Sequence, residues 1–175
     1  MAVNSSYIYW TTANGGTATT IARAKLNGTD VDPNFITGAS NPCGIALSAK
    51  YIYWAGDGGN WIGRANINGT GANPDFISTG GAPEIAINSK YIYWTNYVKG
   101  AIGRASLNGT GVDDNFITGL LTGNVDIAVD SSHIYWANWA QGDGSSVGRA
   151  NLNGTGVTVA FITGASGPYG VAVSG

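Results

Sequence analysis

The strongest constraint on the fold of this chain is an internal repeat of about forty residues that occurs four times. Its most distinctive part is an aromatic tetrad, Tyr7-Ile8-Tyr9-Trp10, which returns at intervals of 44, 40 and 42 residues. The tetrads end in Trp10, Trp54, Trp94 and Trp136. A period of this length is typical of architectures in which each repeat is one supersecondary unit and neighbouring units cover each other.

Two other residue types are confined to single positions of the repeat. Every arginine stands in a block that follows the tetrad: Arg23, Arg64, Arg104 and Arg149. Every phenylalanine opens a Phe-Ile pair near the end of the repeat: Phe35, Phe76, Phe116 and Phe161. This restriction indicates structural roles. We expect each arginine stem to lie between neighbouring repeats while its guanidinium bonds backbone carbonyls or a polar group of the next repeat.

Each repeat has the pattern of four short strands. An apolar segment such as Ile45-Ala46-Leu47 comes first, the tetrad second, a strand ending in Asn-Gly third, and the Phe-Ile strand last. Large side chains on both faces of the tetrad predict a strand buried from both sides. The Asn-Gly pairs predict type I′ hairpins, which account for the four formal glycosylation acceptors Asn27, Asn68, Asn108 and Asn153.

A four-stranded sheet with two apolar faces is not stable alone, so neighbouring sheets must cover one another. The prediction is an all-β chain, a β-propeller of four-stranded antiparallel blades with four blades per chain. The blades of this single domain, residues 1–175, fall near residues 1–43, 44–83, 84–125 and 126–169. A stacked β-solenoid is the alternative, although its coils are typically shorter.

The repeat resembles the YWTD repeats of low-density-lipoprotein receptor class B propellers. The blocks that carry the resemblance are IYW, the later IGRANLNGT and then GIAL, and they cover almost the whole chain. The resemblance implies a propeller, usually of six blades, and an extracellular location, although the chain shows no signal peptide. Where that family has Asp after Tyr-Trp-Thr, this chain has Thr12, Gly56, Asn96 and Asn138, so the family's inter-blade carboxylate bonds cannot be carried over.

The sequence does not decide how the ring of blades closes. Residues 170–174 match the first strand of a fifth repeat that does not continue, which gives seventeen strand-like segments for sixteen places. We expect two chains to form an eight-bladed homodimer, with blade four against blade one twice, because repeats of a six-bladed type should resist the tight curvature of four blades. A four-bladed monomer and a piece of a longer repeat protein without an independent role are the alternatives.

Four aromatic residues fall in or beside the variable loops and break the repeat. The loops between second and third strands span residues 11–20, 55–60, 95–100 and 137–146, and variable loops on a repeated scaffold are where function usually lies. The four residues are Trp61, Tyr97, Trp139 and Tyr169. Aromatic rings beside Gly, Asn and Asp resemble sugar-binding platforms. The alternative is that they plug blade edges.

Acidic residues offer a weaker candidate site. Glu84 and Asp126 precede the first strands of blades three and four. Two carboxylates at the mouth of the central channel would suit calcium. The alternative is that both are solvated loop residues. Asp57 and Asp143 lie in glycine-rich loops without the acidic ladder of an EF-hand. His133, the sole histidine, replaces the first tyrosine of a tetrad and is predicted to be a strand residue.

The predicted function is therefore a non-catalytic binding or interaction scaffold without a cofactor. The sequence contains no Gly-x-Ser-x-Gly elbow, phosphate loop or three-histidine metal site. With 8 basic against 10 acidic side chains and no apolar run of membrane-spanning length, we expect neither nucleic acid nor membrane as a partner. A protein or a glycan is the expected ligand. The alternatives are a lectin-like propeller and a propeller hydrolase or lyase with a metal at the channel mouth.

Overall fold

The computed structural model describes residues 1–12, 19–56, 60–139 and 145–173, which form four antiparallel four-stranded sheets. In every sheet the strands are neighbours in chain order, so each sheet is a simple meander. The chain divides into two compact units, Met1–Ala82 and Pro83–Gly175, and each unit contains two sheets. No helix long and apolar enough to cross a membrane occurs in these described ranges.

The first unit contains sheets 1 and 2. Sheet 1 consists of β1 (Ala2–Val3), β2 (Tyr7–Thr11), β3 (Thr20–Lys25) and β4 (Asp32–Thr37). Sheet 2 consists of β5 (Pro42–Leu47), β6 (Tyr51–Gly56), β7 (Trp61–Asn66) and β8 (Asn73–Ser78). The aromatic tetrads form β2 and β6, each hydrogen-bonded between the first and third strand of its sheet.

The second unit contains sheets 3 and 4. Sheet 3 consists of β9 (Ile85–Ile87), β10 (Tyr91–Asn96), β11 (Ala101–Ser106) and β12 (Asp113–Ile117). Sheet 4 consists of β13 (Asn124–Val129), β14 (His133–Asn138), β15 (Ser146–Asn151) and β16 (Thr158–Thr163). The predicted four-strand repeat is thus confirmed in all four copies, and His133 is a strand residue as expected.

The core of each unit lies between its two sheets, where the tetrad of the second sheet covers the first. Trp54 of sheet 2 belongs to one buried cluster with Tyr9, Ile21 and Ile36 of sheet 1. In the second unit Trp136 of sheet 4 clusters in the same way with sheet 3. Each Å² of apolar surface removed from water contributes about 25 cal/mol, so these contacts between sheets are the main source of stability.

Burial on both faces is confirmed for the tetrads of blades two and three and is wrong for the first and the fourth. Tyr53, Trp54, Tyr93 and Trp94 are each 0% exposed, whereas Ile8 and Trp10 of sheet 1 and Tyr135 of sheet 4 are only half-buried. In sheet 1, Tyr9 clusters with Trp54 of sheet 2, whereas Ile8 and Trp10 alternate to the opposite face, which sheet 2 does not cover.

The hairpins after the third strands occur where predicted, but the predicted turn type, I′, is wrong. A type I′ turn needs positive φ at both central residues, and Asn27 does not have it, while Gly28 has φ 80°. Gly28 N–H donates to the Lys25 carbonyl (2.9 Å) and Lys25 N–H to the Thr29 carbonyl (2.9 Å). This is a type I turn followed by a left-handed glycine that forms a G1 bulge, and the other three copies repeat it.

The predicted first strand of a fifth repeat is also wrong. Residues 170–173 are irregular, and Ser174 lies outside the described residues. An extra strand needs a tetrad strand with a free edge, and all four tetrad strands already pair with β1, β5, β9 or β13. The tail is held instead by a hydrogen bond from Val171 N–H to Asp126 Oδ2 (2.7 Å).

Candidate binding surface

The second unit carries three exposed aromatic side chains that the repeat does not explain. Tyr97 is 45%, Trp139 is 44% and Tyr169 is 72% exposed. We call Tyr97, Trp139 and Tyr169 the aromatic surface. Because large aromatic side chains are normally mostly buried, exposed rings of this kind mark a place where the protein has apolar area available for a ligand.

Two backbone hydrogen bonds through one glycine tie Tyr97 to Trp139. Gly123 N–H donates to the Tyr97 carbonyl (3.0 Å), and Trp139 N–H donates to the Gly123 carbonyl (2.8 Å). A side chain at position 123 would place Cβ 2.5 Å from the Trp139 carbonyl oxygen. Glycine is therefore required where the loop after β10, the start of β13 and the end of β14 come together.

Tyr169 completes the surface through contact with the indole of Trp139. The two ring centroids lie 6.4 Å apart with an interplanar angle of 75°, an edge-to-face arrangement that is favourable for aromatic pairs. The tail that carries Tyr169 is anchored two residues later, where Val171 bonds Asp126. Of the four aromatic residues that the sequence offers as candidates, Trp139 and Tyr169 are in ring contact, and Tyr97 is joined to Trp139 through the backbone of Gly123.

Trp61 belongs to the first unit and has a different environment. It begins β7, is half-buried and packs against the core cluster between sheets 1 and 2. Its ring lies so close to Gly56 that a Cβ there would stand 2.2 Å from the indole Cζ2. For Trp61 the structure favours the alternative interpretation, that of a ring which plugs a sheet edge.

Of the two acidic candidates, Asp126 uses its carboxylate to hold backbone N–H groups. Asp126 Oδ1 accepts a hydrogen bond from Ile127 N–H (2.8 Å) and Oδ2 accepts the one from Val171. The main-chain carbonyl of Glu84 accepts a hydrogen bond from Thr95 N–H (3.2 Å). Among the residues that the structure describes, no group of three or more His, Cys, Asp or Glu side chains could hold a metal ion. Asp57 and Asp143 lie outside the described residues.

Solved structures of known proteins share this arrangement of sheets. A chain of the nidogen/laminin complex superposes with a TM-score of 0.72 at 23% identity, over 87% of this chain and 60% of that one. An inactive virginiamycin B lyase from Staphylococcus aureus gives 0.70 at 19% identity, over 94% and 55%. Regucalcin from Agrobacterium tumefaciens, a calcium-binding protein, gives 0.57 at 18% identity, over 75% and 49%.

The chain has the β-propeller fold, with four blades. At these identities the likeness reaches the fold alone, and the relatives of that fold include a binding protein and an enzyme. The chain spans 60% or less of the length of each of these three structures. No protein-family model matches it, and no curated protein matches it.

At the position that departs from the YWTD pattern, blades three and four carry amide side chains, each with a hydrogen bond inside its own blade. Asn96 Oδ1 accepts from Lys99 N–H (3.0 Å), and Asn138 Nδ2 donates to Ser146 Oγ (2.9 Å). In the second unit the bond from blade four to blade three comes instead from the fully buried Asn124, whose Nδ2 donates to the Ala101 carbonyl (2.8 Å). Sequence reasoning missed Asn124 because no other blade has an amide there.

The arginines form stacks that sequence reasoning also missed. In blade one the Arg23 guanidinium lies 4.5 Å from the Tyr7 ring centroid and 3.8 Å from that of Phe35, and blades two and three repeat the sandwich. The expected bond to the next blade is present for Arg104, which donates to the Leu152 carbonyl at 3.4 Å. The signal was visible in the sequence, since all three residue types recur together in the repeat.

On the second unit an open groove of about 480 Å³ lies beside the Arg104 stack. It is lined among others by Lys90, Tyr91, Arg104 and Asp130, so both signs of charge face it. Hydrogen bonds from the backbone N–H groups of Ser132 and His133 hold the pKa of Asp130 below its ordinary value. Within the groove, Asp130 Oδ1 thus accepts hydrogen bonds from the backbone of its own turn.

Proposed function

We propose that the chain is a non-catalytic binding scaffold, a propeller of the YWTD kind, whose ligand binds on the aromatic surface. The observation that carries the proposal is the exposure of Tyr97, Trp139 and Tyr169, while most of the repeat's aromatic side chains in the same unit are buried or stacked on arginine. The blade cores supply a fixed platform, and the three rings supply apolar area that folding leaves uncovered.

A carbohydrate is the ligand class that this surface suits best. Trp139 and Tyr169 present rings at a large angle to each other, so a sugar ring can rest on one aromatic face while its hydroxyls remain in water. Few charged groups compete, since only 10% of the residues are charged. Because Gly123 holds the backbone of Tyr97 and Trp139 in place, less conformational entropy is lost when a ligand binds.

A protein is the second candidate ligand. The nidogen chain of the same fold was solved in a complex with laminin, so a propeller of this kind can serve as a protein-binding module. Exposed tyrosine and tryptophan are also the residues most enriched at the centres of protein interfaces. The two ligand classes are separated by the experiment that follows.

The test is a glycan array probed with the wild-type chain and with the variants Trp139→Ala and Tyr169→Ala. Loss of a stacked ring should weaken glycan binding by about tenfold, since ring contacts are worth up to about 1.5 kcal/mol. Val98→Ala is the matched control, because Val98 is 69% exposed and adjoins Tyr97 without contributing an aromatic ring.

Binding that survives both aromatic substitutions would show that the aromatic surface is not the site. Absence of any glycan signal would remove the carbohydrate and leave the protein ligand. That second candidate is then tested with a purified binding partner, whose affinity must fall in Trp139→Ala and persist in Val98→Ala. Turnover of a bound glycan by the wild-type chain would contradict the non-catalytic assignment.

A further inference from the structure

Blade four has an open apolar face that is closed in the other blades. Ile162 is 50% exposed, whereas Ile36, Ile77 and Ile117 at the same position of the repeat are 1%, 2% and 2% exposed. Phe161 beside it is 41% exposed. The sequence of this face matches its closed counterparts, so its exposure arises from a missing neighbour rather than from a polar adaptation to water.

Blade one has the converse surface, an open tetrad. Ile8 and Trp10 are half-buried, whereas their equivalents in the later tetrads are fully buried, namely Ile52, Trp54, Ile92, Trp94, Ile134 and Trp136. Leu26 follows the same rule, being 50% exposed where the equivalent Ile67 and Leu152 pack against core clusters. Three positions of blade one therefore lack the cover that the other blades have.

The two units show what covers such faces. In the first unit Ile36 of blade one clusters with Ile52 and Trp54 of blade two. In the second unit Ile117 of blade three clusters with Ile134 and Trp136 of blade four. The isoleucine face of one blade is thus closed by the tetrad of the next. The open face of blade four needs a tetrad, and the open tetrad of blade one needs an isoleucine face.

We propose that a second copy of this chain supplies both. The isoleucine face of blade four in one chain, with Phe161 and Ile162, binds the tetrad of blade one in its partner, with Ile8 and Trp10, and the reciprocal contact forms at the same time. The result is a two-fold homodimer of eight blades joined by two identical contacts. Each contact repeats the blade-to-blade contact already present inside each unit.

The arginine stack adds a polar prediction to this contact. Arg104 reaches from blade three to the Leu152 carbonyl of blade four. Arg149 occupies the same position in blade four and lies 4.0 Å from the centroid of the Phe161 ring. At the dimer contact Arg149 donates to the carbonyl of Leu26 in the partner, the equivalent of Leu152. The proposal is independent of the glycan site, which lies in other residues.

Mass measurement by light scattering tests the proposal directly. At about 10 μM the wild-type chain should show twice the 17.9 kDa of the monomer. A monomeric mass for the wild-type chain overturns the proposal, whether the open faces stay bare or the chain's own blade one covers them. This measurement uses the wild-type chain alone, so it does not depend on whether any variant folds.

Complementary variants test which faces meet. A buried unpaired charge is costly, so Ile162→Asp alone and Ile8→Lys alone should each weaken the dimer by about a hundredfold or more. An equimolar mixture should regain the dimer mass, because one of its two contacts is wild-type and the other pairs Asp with Lys. The matched control is Val112→Asp, at an apolar position of blade three that is 43% exposed and outside both faces, and it should remain dimeric.

Failure of the mixture to regain the dimer mass overturns the pairing of blade four with blade one, because a contact between two copies of blade four would be lost in Ile162→Asp and not restored. Trp10→Ala provides a second variant of the tetrad, with the fold of each variant checked by circular dichroism. Dimers that persist in Ile162→Asp, Ile8→Lys and Trp10→Ala equally contradict the proposal.

Discussion

A single methyl group at position 63 should displace the largest side chain in the core of the first unit. Gly63 of β7 pairs directly with Trp54 of β6, and a Cβ at Gly63 would lie 2.2 Å from the indole Cε2. Trp54 is fully buried and donates from Nε1 to the Ala39 carbonyl at 3.1 Å. In Gly63→Ala the indole must move, and this buried hydrogen bond between blades must lengthen.

The magnitude follows from three opposing contributions. Overpacking of a core costs about 1–3 kcal/mol, and weakening a buried hydrogen bond costs about 1 kcal/mol. Replacing glycine by alanine within a strand returns about 0.5–1 kcal/mol of backbone entropy. Gly63→Ala should therefore lower the free energy of unfolding by about 1–3.5 kcal/mol, measured by urea unfolding followed by far-ultraviolet circular dichroism.

A double-mutant cycle isolates the steric cause. In a Trp54→Leu background the ring is gone, so Gly63→Ala should stabilise the chain by about 0.5 kcal/mol, a reversal of sign. Blade one offers the matched control, since Ala22 already faces Trp10 there and Ala22→Gly should destabilise the chain by about 0.5–1 kcal/mol. If Gly63→Ala costs the same with and without the indole, contact with Trp54 is not the reason for the glycine.

Two further changes test the turn at Asp130 and the support of the aromatic surface. Asp130→Asn should leave stability at pH 7 nearly unchanged, because Asn88 makes the same turn in blade three. Below about pH 4 the wild type should lose stability as the lowered pKa of Asp130 is approached and the unfolded chain binds more protons, and pH-dependent urea unfolding should show a shallower loss in the variant. An equal slope in both proteins would refute the assignment. Gly123→Ala should weaken ligand binding as Trp139→Ala does, because its Cβ meets the Trp139 carbonyl. Gly119→Ala is the control, with φ 76° but no heavy atom within 4 Å, and it should bind normally.

The sequence predicted the blades well because the decisive interactions are local and repeated. Each tetrad, each Asn-Gly hairpin and each Phe-Ile strand is specified within one repeat, so four copies give four independent readings of the same sheet. The turn type was wrong because Asn-Gly also suits a type I turn with a bulge, and the pair alone does not say whether Asn27 takes positive φ.

What the sequence could not predict depends on partners outside the segment concerned. The pattern of residues 170–173 specifies a strand, but no tetrad edge is free to pair with it. Trp61 matched the exposed aromatics in sequence, yet its ring rests on Gly56 from the preceding strand. Gly123 joins the backbones of Tyr97 and Trp139, and the tail brings Tyr169 against the Trp139 ring, so these contacts link segments that are far apart in the sequence.

Because its indoles differ in burial, the tryptophan fluorescence of this protein can report on two different events. Trp54, Trp94 and Trp136 are sealed from solvent, Trp10 and Trp61 are partly open, and Trp139 is 44% exposed. Collisional quenching by acrylamide should therefore act on Trp139, Trp10 and Trp61 while sparing the three buried indoles. Shielding of Trp139 would signal ligand, shielding of Trp10 would signal self-association, and single Trp→Phe replacements would tell the two events apart without any attached dye.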